Sequence, residues 1–414
     1  SITAIKIQIM RYIVLFIHMT FASLITTVAY AGGSSFSATT YGLYEYKPNP
    51  RVLGMGGAGL AIPSYYTLNM QNPATLLGIP MTRYEINMFA EWNQASNGAS
   101  KNFSNRATIN HVAFAFPFGK TLVAAINLSR VTNVNYEFST PNLIFEGEKY
   151  SETLIGTGGL QQLAFTGAGK LNPKWTIGAS LQYLFGTIKR EWDINYSSDE
   201  LVDTRDVRHQ NMNGGRLVVG GLYQHNEQWN FGGFLSMAGK ISSDIRVVGT
   251  YRDTTVSYEQ NLNYPTEIGF GASYRWTKRY LLATDIVYGT WGSVKEFSPT
   301  QKNRNTVRWS SGIERQPSNA FSAPWWDKNY YRFGLMINNL YATNTTGNHA
   351  SEIMFTLGIG MPFNRERSSF DLSLEAGQRG QIADNKVRDR VYRLTLSFTG
   401  GERWFLNRQK RKRD

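Results

Sequence analysis

The stretch Arg83–Trp92 reads RYEINMFAEW. Tyr84, Ile86, Met88, Ala90 and Trp92 fall on one side of an extended chain. Arg83, Glu85, Asn87 and Glu91 fall on the other, with Phe89 the one exception. Period-two alternation sends successive side chains to opposite faces of a sheet. The pattern returns in Trp175–Phe185, whose apolar face is Trp175, Ile177, Ala179, Leu181, Tyr183 and Phe185. It returns again in Glu267–Trp276 (Ile268, Phe270, Ala272, Tyr274, Trp276) and in Ser369–Ala376 (Phe370, Leu372, Leu374, Ala376). Soluble sandwiches contain such strands too, with the apolar face turned to a core. Here the runs are about ten residues, enough to cross a bilayer when tilted. The apolar face is nearly free of charge, as lipid requires.

The connections carry the same message. Short turns fall at Pro117–Lys120, Leu171–Lys174, Gln224–Gln228, Trp276–Arg279 and Phe363–Ser368. Longer polar loops are expected near 94–106, 139–157, 190–212, 241–262, 292–306, 340–350 and 378–390. Alternating short and long connections mark a transmembrane antiparallel β-barrel, and seven long loops imply about fourteen strands. Closure is required because an open sheet edge in hydrocarbon leaves backbone groups unpaired. One turn departs from the pattern: Gln316–Lys328 is long and carries Pro324-Trp325-Trp326. The last strand, Val391–Phe398, precedes Trp404-Phe405.

Composition agrees. Mean hydropathy is −0.34, too low for a bundle of transmembrane helices, each needing ~20 nearly unbroken apolar residues. The 23 Tyr, 23 Phe and 10 Trp fit aromatic girdles at two interfaces. No Cys is present, which removes thiolate nucleophiles, disulfides and thiolate metal sites.

Arg11 precedes the apolar run Tyr12–Ala31, which ends in Ala29-Tyr30-Ala31. Charged start, apolar core and small-residue end read as a cleaved export signal over residues 1–31, against the rival of a retained anchor. Its removal takes away Lys6 and Arg11 and lowers the net charge from +13 to +11. A barrel over 81–405 and a basic tail over 406–414 complete the division. The tail reads as a solvated terminus, and no aromatic-interleaved basic patch points to nucleic acid. Both termini are expected on the periplasmic side.

Residues 32–80 read as an N-terminal hatch, or plug. Gly54, Gly56 and Gly59 satisfy G-x-G-x-x-G within the run Gly54-Met-Gly56-Gly57-Ala-Gly59, and Asn72-Pro73-Ala74 follows. A dinucleotide site needs a preceding strand, a following helix and an acid about twenty residues on. Pro48 and Pro50 precede the run, Pro63 cuts a helix short, and no acid lies between Glu45 and Glu85. The glycines read instead as backbone packed closely against a wall, and no cofactor is expected.

Catalysis finds little support. His111, His209, His225 and His349 stand alone, and neither G-x-S-x-G nor H-E-x-x-H occurs. No catalytic or metal site is expected. Apolar hatch residues Leu60, Ile62, Tyr65, Tyr66, Leu68 and Met70 suggest a greasy pocket. Burying an acyl chain gains about 0.8 kcal/mol per methylene. Lumen cations such as Arg275, Arg332 or Arg393 are candidates to hold a carboxylate. Packing of the same residues against the wall is the alternative.

The hatch glycines with Asn72-Pro73-Ala74 resemble the outer-membrane long-chain fatty acid transporter family, the FadL type. Tyr264-Pro265-Thr-Glu-Ile-Gly269-Phe-Gly271-Ala-Ser-Tyr274 is similar to that family's proline-led strand. Ala283-Thr-Asp285-Ile-Val-Tyr288-Gly-Thr-Trp291 is similar to its D-x-x-Y-x-x-W strand, and Tyr331-Arg332-Phe-Gly334 to its Y-R-x-G strand. The resemblance implies a fourteen-stranded hatched barrel in the outer membrane, surrounded by lipid and lipopolysaccharide. It implies uptake of hydrophobic small molecules by hatch rearrangement and lateral exit through a kinked strand, for which Thr121–Tyr136 is the candidate by order. A related hatched-barrel group serves as accessory or shuttle proteins in protein secretion, which makes a secretion-system partner the second expectation.

Overall fold

A computed structural model describes residues 33–45, 49–145, 147–198, 201–249, 254–294, 303–318, 320, 322–343, 348–363 and 367–402. The expected signal and basic tail lie outside these residues. Seventeen strands form the wall: β2 (Thr82–Ser96), β3 (Lys101–Phe118), β4 (Leu122–Arg130), β5 (Thr132–Phe145), β6 (Glu148–Lys170), β7 (Trp175–Tyr196), β8 (Thr204–Gln224), β9 (Trp229–Ala238), β10 (Lys240–Gly249), β11 (Thr254–Asn263), β12 (Glu267–Arg275), β13 (Tyr280–Gly289), β14 (Thr306–Arg315), β15 (Tyr330–Thr343), β16 (His349–Phe363), β17 (Ser368–Arg379) and β18 (Arg388–Glu402). Three consecutive pairs, β4/β5, β9/β10 and β11/β12, each occupy one position in the wall, which gives fourteen positions. The ladder closes where β18 pairs β2, from Glu402 opposite Thr82 to Arg388 opposite Ser96.

Alternation dictates which face is wet by lipid. Leu181, Phe270, Phe165 and Phe355 are 66%, 60%, 56% and 56% exposed on the outside, while Thr176, Ser180 and Gln182 of β7 are buried inside. Phe89, the exception in β2, turns inward beneath the Arg106 guanidinium at 5.0 Å. Aromatic pairs stand beside the short turns: Trp175 on Tyr223 at 4.7 Å and Trp229 on Tyr274 at 4.5 Å. Such girdles suit the water–lipid boundary.

The expected long loops are largely strand. β5 runs to Phe145 and β6 starts at Glu148; β7 reaches Tyr196 and β8 starts at Thr204; β10 reaches Gly249 and β11 starts at Thr254. Ladder pairs such as Tyr150 with Tyr196 and Ile194 with Thr204 extend the pairing past the roughly ten residues a tilted strand needs to cross a bilayer. The alternation fades there because water wets both faces, so polar sequence is compatible with unbroken pairing. The turn over 316–329 is long, as expected, and holds a 3-10 helix at Trp325–Lys328.

Residues 33–80 contribute no strand to the wall. This inner segment carries β1 (Leu43–Tyr44), the single-turn α1 (Pro50–Leu53) and a 3-10 helix at Pro73–Gly78. Almost all of it is buried against inward-facing wall residues.

Candidate functional site

Charge fastens the inner segment to the wall. Arg51 of α1 makes a two-pronged pair with Glu314 of β14, at 2.9 and 2.8 Å. Glu314 also accepts from Nε of Arg332 at 2.8 Å, and Nη1 of Arg332 reaches Asp371 at 2.8 Å. The third Arg332 nitrogen donates to the Tyr66 hydroxyl. Burial pushes that hydroxyl well above its ordinary titration range, so it stays protonated. Arg332 and Glu314 are wholly shielded. Buried charges hold only when paired and hydrogen-bonded, and this cluster meets that condition.

Backbone groups are fastened by acids of the wall. Asp285 accepts from Gly59 N at 2.6 Å and Leu60 N at 2.9 Å. Glu85 accepts from Leu68 N at 2.8 Å. Asn72 caps the 3-10 helix through Ala74 N at 3.1 Å, while its amide reaches Leu60 O at 2.8 Å and Gly221 O at 3.0 Å. The Asn-Pro-Ala run is therefore a joint between cap, segment and wall.

The close approach expected of the glycines is reciprocal. A Cβ on Gly56 would lie 2.5 Å from Leu335 O, and one on Gly334 would lie 2.1 Å from Gly56 N. Gly54 likewise meets Gly358, and Met55 backbone meets Gly312. Gly56 also has φ +68°, a conformation that disfavours side chains. The wall supplies three of these glycines, Gly312, Gly334 and Gly358, and the inner segment two, Gly54 and Gly56.

Up each strand the interior changes in character. In β7, Gly178 touches Pro73, Gln182 lines a chamber, and Leu184 and Ile188 enter an apolar cluster. That cluster also holds Val134, Tyr136, Tyr264, Trp291 and Tyr341, together with Tyr41 of the inner segment. Tyr41 meets Tyr264 edge-on at 5.6 Å and donates to Asn263 O at 2.8 Å. A chamber of about 110 Å³ between the inner segment and the wall is lined by polar and apolar groups in near-equal measure.

The wall is interrupted where β4 meets β5. β3 pairs β4 from His111 to Phe118, but residues 101–110 of β3 have no ladder partner on that edge. β5 turns inward instead. Thr132 and Asn133 pair with Tyr44 and Leu43 of β1, and Glu45 N donates to Val131 O at 2.8 Å. On the neighbouring β6, Gly158 and Gly159 have φ of +114° and +138°. A Cβ at Gly159 would stand 2.3 Å from Thr132 O, so glycine is required for this bend. Arg106 crosses the interval, pairing with Glu45 and, at 3.0 Å, with Glu91. Val131, Val134 and Tyr136 belong to the apolar cluster, which thus backs directly onto the break.

Of the nine candidate ligand residues, Leu68 and Met70 line the chamber. Leu60 packs on Gly269 and Gly271, and Ile62 on Leu281 and Ala283, so both fill wall contacts. Tyr65 is exposed and Tyr66 is bound to Arg332. Arg275 donates to Gln316 at 3.0 Å, away from the chamber. Arg332 is engaged by Glu314 and Asp371, and Arg393 by Glu91, Glu352 and Glu375. Sequence reading overlooked Glu314, Asp371, Asp285 and Glu85 as fastenings. Each sits on an inward strand face, where acids are ordinary, and only Asp285 carried a local signal, as the acid of the D-x-x-Y-x-x-W match. Among the described residues, no group of three or more His, Asp or Glu draws together as a metal-ligand set.

The closed fourteen-position antiparallel barrel has the FadL-type fold. A Pseudomonas aeruginosa FadL homologue superimposes with TM-score 0.63 at 10% identity, covering 87% of this chain and 99% of that one. The Pseudomonas putida toluene transporter TodX gives 0.56 at 14%, covering 86% and 98%. The Ralstonia pickettii toluene transporter TbuX gives 0.56 at 13%, covering 85% and 98%. At such identities the likeness is one of fold. No curated protein sequence matches the chain. A model of the BamG family matches residues 8–412, and the chain belongs to the BamG family. The resemblance to fatty acid transporters therefore holds for the fold, while the family is BamG.

Proposed function

We propose that this chain is an outer-membrane barrel that passes small hydrophobic molecules from its apolar interior sideways into the bilayer, with the inner segment as plug and both termini in the periplasm. The observation that carries the reading is the break at Val131. It removes a ladder between β3 and β5 and places the cluster around Tyr41 and Tyr136 directly behind the interval. The plug side of the interval is made by only two ladder pairs of β1, so it is the least-paired part of the wall on that edge. Toluene transport by TodX and TbuX supports a hydrophobic solute. A cavity of about 110 Å³ is below the ~300 Å³ of an ordinary ligand pocket, so a long acyl chain requires movement of the plug.

A cysteine pair tests this. Leu43 and Asn133 face each other across β1 and β5, at a separation an antiparallel pair offers to a disulfide, and the chain has no other thiol. Oxidised Leu43→Cys/Asn133→Cys protein is expected to stop toluene uptake into cells, and reductant to restore it. Uptake that is indifferent to oxidation defeats the lateral route.

A second reading, an accessory barrel that holds a protein partner, has its own support. Trp325 and Trp326 are 66% and 64% exposed on the rim where the other turns are short. It expects a stoichiometric partner that is lost with Trp325→Ala/Trp326→Ala, and no effect of the disulfide lock on solute uptake.

A further inference from the structure

The chamber between the inner segment and the wall has a composition that the passage of hydrophobic molecules does not use. Its lining brings together Asn49 and Gln71 of the inner segment with Arg216 of β8 and Ser236 of β9. Four donors among them have no hydrogen-bond partner while buried: Asn49 Nδ2, Gln71 Nε2, Arg216 Nη1 and Ser236 Oγ. Asn49 and Ser236 are each 1% exposed and Arg216 is 9% exposed. Gln71 Oε1 and the Ser236 hydroxyl can also accept, and His111 Nε2 is unpartnered on the same lining. The other Arg216 nitrogens are held, Nε by Gln182 at 2.6 Å and Nη2 by Gln162 at 2.9 Å. Its guanidinium is thereby fixed with one edge presented to the chamber. The nearest acid, Glu267, is 3.9 Å from Nη1 and already accepts from the Tyr44 hydroxyl at 3.2 Å. Around the lining stand three guanidiniums, of Arg130, Arg216 and Arg308, against two carboxylates, of Glu45 and Glu267.

A buried donor without an acceptor costs about 1–3 kcal/mol, so four such donors on one lining favour an acceptor-rich occupant. Water brings two hydrogens with every oxygen. It can satisfy these donors but leaves the guanidinium surplus of the lining uncompensated. An oxyanion brings acceptors alone and a charge that matches the surplus guanidinium. The geometry points to a binding site for one small oxyanion, of phosphate or carboxylate size, held between Arg216, Asn49, Gln71 and Ser236. It is independent of whether hydrophobic molecules pass the barrel.

The full chain in detergent, titrated calorimetrically at fixed ionic strength with inorganic phosphate, with acetate and with chloride, is the test. Phosphate or acetate is expected to bind with one-to-one stoichiometry, and chloride more weakly than either. Asn49→Asp is the sharpest variant. Asn49 Oδ1 caps α1 through Val52 N at 3.1 Å, and aspartate keeps that cap while replacing the free NH2 by a negative oxygen. It is expected to weaken oxyanion binding about tenfold or more with heat-modifiable migration unchanged. Ser236→Ala, the smallest deletion in the lining, is expected to weaken it several-fold even if Asn49→Asp misfolds. Absence of saturable heat, chloride binding as tightly as phosphate, or equal affinity in wild type and Ser236→Ala overturns the assignment.

Discussion

Glu314 accepts from two arginines that are 281 residues apart, Arg51 and Arg332, and has no access to water. Removing one partner of a buried ion pair strands the other, at a cost of about 3–5 kcal/mol. Glu314→Ala is therefore expected to lower the temperature at which the barrel loses its heat-modifiable migration. Trypsin is expected to cut the variant after Arg51, the one Lys or Arg between Lys47 and Arg83. Resistance equal to wild type would show that the pair does not hold the segment. Such residues were invisible in the sequence. Glu314 follows ordinary alternation in β14, and its partner lies in another element altogether. Arg332 was visible as a lumen cation, but its neutralisation by Glu314 and Asp371 was not, because charge compensation is a property of three dimensions.

At the level of elements, the inner segment joins the wall by ion pairs, backbone-to-carboxylate bonds and glycine contacts, with an apolar cluster above them. All of these lie within 33–80 on one side and on eight or more wall strands on the other. Deletion of residues 38–75 is expected to leave a barrel that inserts but conducts ions nonselectively in planar bilayers. Unchanged conductance would mean that the segment closes nothing. The wall strands of the bilayer belt were legible because lipid on one side and polar interior on the other impose a period of two. The upper parts of β5 through β8 and of β10 and β11 were not, since water on both faces removes the contrast while the ladder persists. The kinked position was anticipated only by its place in the order; the glycines that bend it, Gly158 and Gly159, lie on the neighbouring strand.

The molecule as a whole is defined by its greasy belt. Leu181 is 66% exposed near the middle of that belt, whereas Ile144 is 70% exposed close to the tip of β5. A basic residue at the bilayer midplane costs about 2–4 kcal/mol, falling to about 0–1 at the interface. Leu181→Arg is thus expected to reduce folding stability in lipid vesicles by that larger amount, and Ile144→Arg to leave it nearly unchanged. Equal losses at both positions would displace the belt from where the alternation puts it. The seven hairpins of the long-loop side are unequal in height: β6, β7 and β8 have 23, 22 and 21 residues, against 10 each in β13 and β14. At about 3.3 Å per residue, the taller flank rises tens of ångströms above the shorter one. The mouth is consequently lopsided, like a cup with one high side. The strands themselves therefore screen the interior more from the side of β6, β7 and β8 than from the side of β13 and β14.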